Sequence, residues 1–241
     1  MVQTHTEEKT YRYFDIIMAA FVTILVVSNV ASSAKIIDLR VSIAGLPLAF
    51  DAGTLLFPVS YIFGDILTEV YGYKRSRKVI WTGFFCLVMA SAIFWLVSVL
   101  PGEAMWQGYA GDAAYGAILG GMSSGGIVLG SLAGYWGGEF TNSAILARLK
   151  VMTAGRFLWL RTISSTLAGE LVDSLLFVSV AILFGIFPRE LFMTLVVTNY
   201  LFKTLVEVAM TPLTYLAVNH TKKVEQVDHY DRDTNFSPFA R

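Results

Sequence analysis

Six acidic side chains lie within long apolar stretches of the chain, in positions that a membrane would surround. They are Asp65, Glu69, Glu139, Glu170, Asp173 and Glu207. A charge at the centre of a bilayer costs about 2.5–3.5 kcal/mol, so such a residue normally faces a partner or a water-filled cavity. Within the stretches, only Lys203 and, nearer an end, Arg161 offset them. The excess of carboxylates requires protons, a cation or the N–H donors of a ligand, and therefore indicates a binding site.

Spacing by three or four residues places these acids on polar stripes of four predicted helices, because such residues share one helix face. The stripes also carry aromatic, amide and hydroxyl groups: Phe57, Tyr61, Asp65 and Glu69; Tyr135, Glu139 and Asn142; Thr162, Thr166, Glu170 and Asp173; Asn199, Lys203 and Glu207. Four stripes can converge on one pocket. The candidate substrate-binding residues are Phe57, Tyr61, Asp65, Glu139, Asn142, Glu170, Asp173, Asn199 and Lys203.

Lys203 has two predicted roles in this arrangement. With Asp65 and Glu207 it forms a predicted ion-pair network. In the alternative interpretation, a pair of Lys203 with either acid simply holds two helices together. Glu69 lies near the end of its stretch beside Lys74 and Arg75, and we expect it to be interfacial.

The elements that must position these stripes are six apolar blocks, each long enough to cross a bilayer of about 30 Å. The 241 residues are 55% hydrophobic and only 15% charged, with a mean hydropathy of +0.61. This composition excludes an ordinary soluble protein, and it disagrees with an outer-membrane barrel, whose segments alternate over about ten residues. The predicted spans are 14–34, 52–72, 79–100, 115–147, 158–186 and 191–219.

The fold class is therefore predicted as an all-α membrane protein with six transmembrane helices. Residues 1–221 are predicted to form one six-span transmembrane domain in the lipid bilayer, and residues 222–241 a polar cytoplasmic tail that we expect to be mobile. Short loops rich in Lys and Arg usually lie in the cytoplasm. The loops after the second and fourth spans and the end of the sixth are basic, whereas loop 101–114 has no Lys or Arg. Both termini are thus predicted to be cytoplasmic.

Three local features need separate interpretation. Alternating apolar and polar residues over 35–51, around Gly45, predict a short β-hairpin between helices 1 and 2, with an irregular loop as the alternative. Pro58 and Pro212 are candidates for helix kinks. The glycine-rich fourth span fits close helix packing, either inside the protein or at a homodimer face, and a bending helix is the other interpretation.

Several function classes are disfavoured by composition. Lys plus Arg equals Asp plus Glu, at 18 each, so no basic surface for nucleic acid is expected. The chain has one cysteine and three histidines near the termini, which argues against a metal site and an internal disulfide. The pattern Gly121-Met122-Ser123-Ser124-Gly125 resembles a hydrolase nucleophile motif but lies within an apolar span without a histidine base. We therefore expect no enzyme activity and no cofactor.

Three blocks of the sequence resemble the queuosine precursor transporters, earlier described as putative vitamin uptake transporters. The blocks are Ala52 to Tyr61 with Asp65 and Glu69-Val70-Tyr71-Gly72; Trp159 to Thr166 with Gly169 and Asp173; and Asn199, Lys203, Glu207 and Pro212. The resemblance implies a six-helix bacterial inner-membrane importer of 7-deazaguanines such as preQ0 and preQ1. It also implies a fold similar to the substrate-binding subunits of energy-coupling-factor vitamin transporters. Asp65, Asp173 and Lys203 match best, whereas Glu139 stands where relatives often have glutamine and position 170 varies.

A guanine-like ligand fits the chemistry of the stripes. A carboxylate can accept two N–H donors of a purine edge in a paired geometry, and we assign this to Glu139 or Glu170. Asn142 or Asn199 would contact the carbonyl, and Phe57 or Tyr61 would stack on the ring. The ion-pair network of Asp65, Lys203 and Glu207 would change during transport. Import could be coupled to carboxylate protonation, or be facilitated diffusion. The alternative function is a vitamin-binding subunit of an ATP-driven energy-coupling-factor importer, although the first helix lacks the Ala-x-x-x-Ala docking face of such subunits.

Overall fold

The computed structural model describes residues 11–43, 46–123, 125–185 and 188–240. In this part of the chain, eight helices and two short strands follow one another. The helices are α1 Phe14–Ala34, α2 Phe57–Tyr71, α3 Tyr73–Val99, α4 Ala104–Tyr109, α5 Gly111–Ser123, α6 Gly125–Met152, α7 Leu158–Leu183 and α8 Phe192–Glu225. Single 3-10 turns occupy Ala52–Leu55 and Arg189–Leu191.

Five stretches of helix are long and apolar enough to cross a membrane. They are Phe14–Ala34, Tyr73–Val99, Gly111–Met152, Leu158–Leu183 and Leu195–Glu225. The predicted span 52–72 corresponds to α2, which has 15 residues and is shorter than a full crossing of about 20. The protein is thus a multi-pass helical membrane protein, and the sixth crossing stays a prediction.

The two strands lie in the segment for which alternation predicted a hairpin. β1, Ile36–Ile43, pairs antiparallel with β2, Leu46–Asp51, so that Ile36 faces Asp51 and Ile43 faces Leu46. The register is irregular between Asp38 and Ser42. The connecting residues 44–45 lie outside the described residues.

Pro58 begins a helix rather than kinking one. It occupies the first turn of α2, where its missing N–H leaves no hydrogen bond unmade. The kink predicted there is therefore wrong, whereas Pro212 does lie inside α8. At the other end of α2, Gly72 has a φ of +86°, and a Cβ placed on it would lie 2.2 Å from His229. Only glycine fits at this position, which connects α2 to α3.

The glycines of α6 let its backbone approach α7 closely. A Cβ built on Gly138 would lie 2.8 Å from the Asp173 Cβ and 3.1 Å from the Gly169 carbonyl oxygen. A Cβ on Gly169 would lie 2.9 Å from the Asn142 Cβ. These glycines therefore serve internal packing, in which Asp173 of α7 lies against Gly138 and Asn142 of α6 lies against Gly169. The homodimer face stays a prediction.

Replacing Gly138 with leucine is expected to destabilise the protein by at least about 1–3 kcal/mol, the usual cost of overpacking. The side chain would have to separate α6 from α7. Gly116→Leu is the matched control, because Gly116 is exposed on α5 and a Cβ there meets nothing within 4 Å. Thermal unfolding in detergent measures the difference. Equal melting temperatures for the two variants would contradict the packing argument.

The C-terminal segment, residues 226–240, packs against the ends of α2, α3 and α6. The Trp81 indole N–H donates to the Pro238 carbonyl at 3.0 Å, and the Arg77 guanidinium donates to the Ser237 carbonyl at 3.0 Å. The Tyr73 hydroxyl donates to the Phe236 carbonyl at 2.8 Å. The segment that we expected to be mobile is thus packed against the helices, and its backbone carbonyls accept hydrogen bonds from them.

Candidate functional site

Five acids from four helices meet in the interior, and we call them the acid cluster: Asp65 on α2, Glu139 on α6, Glu170 and Asp173 on α7, and Glu207 on α8. Asp65 and Glu170 are fully buried, and Glu139 and Glu207 nearly so. The four polar stripes therefore converge as their helical spacing predicted.

Lys203 is the cation of this site. Its ammonium donates a hydrogen bond to Asp173 and lies 3.4 Å from Glu170 Oε2. Sequence reasoning instead grouped Lys203 with Asp65 and Glu207, whereas the ion pairs that the structure describes for Lys203 are with Asp173 and Glu170. The reason is geometric: α8 turns Lys203 towards α7, where two acids one turn apart offer the ammonium two partners. Glu207 lies on the same helix as Lys203 but faces Asp65, Glu139 and Glu170.

Many acceptor atoms of the site lack a hydrogen bond. Asn142 donates to Asp65 Oδ1 at 3.4 Å, which leaves the other carboxylate oxygen without a donor. Among the described residues, the buried acceptors with no hydrogen-bond partner include Asp65 Oδ2, Glu139 Oε2, Asn142 Oδ1, both oxygens of Glu170 and both oxygens of Glu207. Buried polar atoms are nearly always satisfied in folded proteins. The cluster is therefore built to receive donors from a ligand, from water or from bound protons.

The other predicted site residues are less closely tied to the cluster. Tyr61 is buried on α2, one turn before Asp65. Asn199 is half-buried on α8, one turn before Lys203. Phe57 begins α2, but its side chain lies outside the described residues. Lys203 and Asp173 keep side-chain exposures of 21% and 17%, whereas the other four acids of the cluster are almost fully buried.

Two surface grooves lie away from the acid cluster, on either side of the C-terminal segment. One, of about 530 Å³, is lined by basic and aromatic residues of α3, including Lys74, Lys78 and Trp81. The other, of about 490 Å³, lies between α6, α7 and Phe236. Neither groove includes a residue of the acid cluster, so we do not assign them to the candidate site.

Glu69, on α2, is completely buried within the protein. It was expected at the membrane interface beside Lys74 and Arg75, and that position stays a prediction. The Arg161 guanidinium donates a hydrogen bond to each carboxylate oxygen of Glu69, from Nη2 to Oε1 at 2.7 Å and from Nε to Oε2 at 3.2 Å. Lys222 donates to Oε1 at 2.6 Å, and the Lys150 ammonium lies 3.6 Å from the same atom. We call Glu69 and these three cations the Glu69 cluster.

Asp228 adds a second acid to the Glu69 cluster from the C-terminal segment. It accepts one hydrogen bond from Lys150 and pairs with Lys222 at 2.8 Å. Partial burial raises the pKa of Asp228, but the two ammonium groups outweigh this and hold its pKa below the usual range. The signal for this cluster was present in the sequence, since Lys150, Arg161 and Lys222 all lie near the ends of predicted spans. Helical spacing alone does not tell which acid they share.

Comparison with known proteins supports a transport role. The family model described as putative vitamin uptake transporter matches residues 51–217. A relative from Bacillus subtilis (strain 168), named probable queuosine precursor transporter, is 27% identical over 169 residues, which cover 68% of this chain and 70% of the relative. The queuosine precursor transporter of Escherichia coli (strain K12) is 25% identical over 202 residues, which cover 83% and 84%. No solved structure matches.

Proposed function

Because the chain belongs to the putative vitamin uptake transporter family, we propose that it imports queuosine precursors, 7-deazaguanines such as preQ0 and preQ1, across a bacterial inner membrane. The proposed topology has six crossings with both termini in the cytoplasm, and a fold similar to the substrate-binding subunits of energy-coupling-factor transporters. The names of the relatives do not favour the alternative, an ATP-driven vitamin importer.

The observation that supports this substrate class is the set of buried acceptors without donors. A 7-deazaguanine presents adjacent N–H groups on one edge, and a carboxylate accepts such a pair in two parallel hydrogen bonds. Glu139 and Glu170 both have oxygen atoms without a hydrogen bond. We assign the purine edge to one of these two acids. The amide of Asn142 would contact the carbonyl group, and Tyr61 would stack on the ring.

The substrate is tested in a bacterium that lacks both precursor synthesis and its own importer. Cells carrying this gene are fed preQ0, preQ1 or queuine at low concentration, and the queuosine content of their tRNA is measured. We expect modification to return with preQ0 or preQ1. If none of the three feeds restores modification although the protein is present in the membrane, the proposed function is wrong.

Substitution of the two candidate acids should separate binding from folding. Glu139→Gln and Glu170→Gln each keep the shape of the side chain but exchange an acceptor oxygen for an N–H donor. A hydrogen bond to a charged group contributes about 1.5–3 kcal/mol. Loss of the carboxylate that binds the purine edge should therefore weaken substrate affinity by at least about tenfold. Glu190→Gln, on an exposed turn, is the matched control. Unchanged substrate affinity in both variants would refute this assignment of the purine edge.

A further inference from the structure

The surface groove of about 530 Å³, which we call the basic groove, is lined by Lys74, Arg77 and Lys78 of α3. The described residues that line it include no acid. Lys74 and Lys78 are exposed, and within the described part of the chain no carboxylate pairs with either ammonium. The cations of the acid cluster and the Glu69 cluster, by contrast, all have carboxylate partners: Lys150, Arg161, Lys203 and Lys222. The basic groove therefore holds positive charge that these pairs do not neutralise.

Arg77 adds a third positive charge and joins the groove to the C-terminal segment. Its guanidinium donates to the carbonyl oxygens of Asn235 at 3.1 Å and Ser237 at 3.0 Å, which are neutral acceptors. The Trp81 indole N–H donates to a neighbouring carbonyl of the same segment, and the ring centroids of Trp81 and Phe239 lie 5.8 Å apart. The groove is thus built from α3 and a segment that is hydrogen-bonded to it.

The remainder of the basic groove is aromatic and leads onto an exposed apolar face of α3. The Trp81 ring stacks on Phe85, which is 61% exposed, with 5.6 Å between the ring centroids. Lys74, Lys78 and Phe85 share one face of the helix, because they are four and seven residues apart. Exposed apolar side chains continue that face: Met89, Ile93 and Leu96. The face therefore changes from charged to aromatic to apolar along a helix that is long enough to cross a membrane.

The dimensions of this face match those of one phospholipid. Lys74 and Lys78 are separated by about 6 Å along the helix axis, so both ammonium groups can approach the same phosphate. From Phe85 to Leu96 the helix rises about 16 Å. One leaflet contributes about 15 Å to the hydrocarbon core of a bilayer. A phosphate at the two lysines would thus place an acyl chain beside the exposed apolar side chains of α3.

We propose that the basic groove binds an anionic phospholipid, with its phosphate between Lys74 and Lys78 and an acyl chain along Phe85 and the apolar face of α3. Lysine and arginine side chains at a membrane surface attract anionic lipids. Tryptophan is favoured at the level of the headgroups, which suits Trp81. A water-soluble phosphate would match the lysines but leave the exposed Phe85 uncovered. In the proposed topology the groove lies at the cytoplasmic leaflet.

The first test compares the lipids that the purified full-length protein binds. The protein in neutral detergent receives equal amounts of phosphatidylglycerol and phosphatidylcholine with the same acyl chains, and bound lipid is counted by native mass spectrometry. We expect the unmodified protein to prefer phosphatidylglycerol. Each lysine near an anionic membrane surface strengthens binding about fivefold. Lys74→Gln combined with Lys78→Gln should therefore reduce this preference by at least about tenfold.

The matched control combines Arg156→Gln with Lys223→Gln, which removes two exposed positive charges that do not line the groove. This variant should keep the preference of the unmodified protein. Equal preference in the Lys74 and Lys78 double variant and the unmodified protein would overturn the proposal, as would equal binding of the two lipids by the unmodified protein. Glycerol 3-phosphate and inorganic phosphate, added in excess, should not displace phosphatidylglycerol. Displacement by either would show a site for a soluble anion and would also overturn the lipid assignment.

The second test locates the lipid on the unmodified protein and so does not depend on how a variant folds. Phosphatidylglycerol that carries a photoreactive group in its acyl chain is bound to the protein and activated by light, and the labelled peptides are identified by mass spectrometry. We expect labelling of α3 between Phe85 and Leu96, and its loss when unlabelled phosphatidylglycerol is added in excess. Labelling confined to other helices would overturn the proposal.

Discussion

Replacing Glu69 with alanine is expected to destabilise the folded protein by about 3–5 kcal/mol, the usual cost of removing one partner from a buried ion pair. Arg161 and Lys150 both have side chains that are only 1% exposed, so neither can turn to solvent once the carboxylate is gone. Lys222 would lose its 2.6 Å partner at the same time. The loss therefore affects contacts among α2, α6, α7 and α8 together.

Thermal unfolding in detergent is the measurement for this variant. Glu190→Ala is the matched control, because it removes an exposed carboxylate from a short turn. Arg161→Gln, which removes the bidentate partner instead, should lower the melting temperature in the same direction. A melting temperature of Glu69→Ala equal to that of Glu190→Ala would show that the Glu69 cluster does not hold these helices together.

The two charged clusters have opposite compositions, and this separates their roles. In the Glu69 cluster three cations surround one buried acid, and the partly exposed Asp228 balances Lys150 and Lys222 from the C-terminal segment. All of these groups have partners within the protein. In the acid cluster five acids share one cation, and several oxygens have no donor. A cluster whose charged groups all have partners can hold helices in fixed positions. A cluster with unpaired acceptor oxygens can instead bind a ligand or a proton.

Helical periodicity predicted the faces correctly but did not predict the partners. A repeat of three to four residues fixes which side chains share one face, so Asp65, Glu139, Glu170 and Glu207 were expected to point inwards, and they do. Choice of partner depends on how helices distant in sequence rotate and slide. Glu69 binds Arg161 from 92 residues away and Lys222 from 153 residues away, and no local spacing encodes these pairs.

Composition was a poor guide at the ends of the chain and of its helices. The polar sequence from Lys222 onwards suggested a mobile tail, but polarity does not reveal that α8 continues to Glu225 or that helix side chains donate to carbonyl groups of the later residues. The sequence suggested a span from 52, whereas α2 begins at Phe57 after a 3-10 turn. Apolar composition alone does not separate a membrane helix from the irregular residues that lead into it.

Replacing Lys203 with methionine should reduce substrate uptake by at least about tenfold, equivalent to about 1.4 kcal/mol. Methionine retains much of the side-chain volume but leaves Asp173 and Glu170 without their shared ammonium. Repulsion between the two released acids should also shift the side chains that we assign to substrate binding.

A charge-balanced double variant separates the structural and functional parts of this effect. Lys203→Met combined with Asp173→Asn removes one charge of each sign, so it should recover much of the melting temperature that Lys203→Met loses. We expect uptake to stay low in the double variant, because Glu170 still lacks its cation. Lys203→Arg keeps the positive charge and should retain more uptake than Lys203→Met or the double variant. If Lys203→Met alone transported at the unmodified rate, Lys203 would serve neither the site nor its closure.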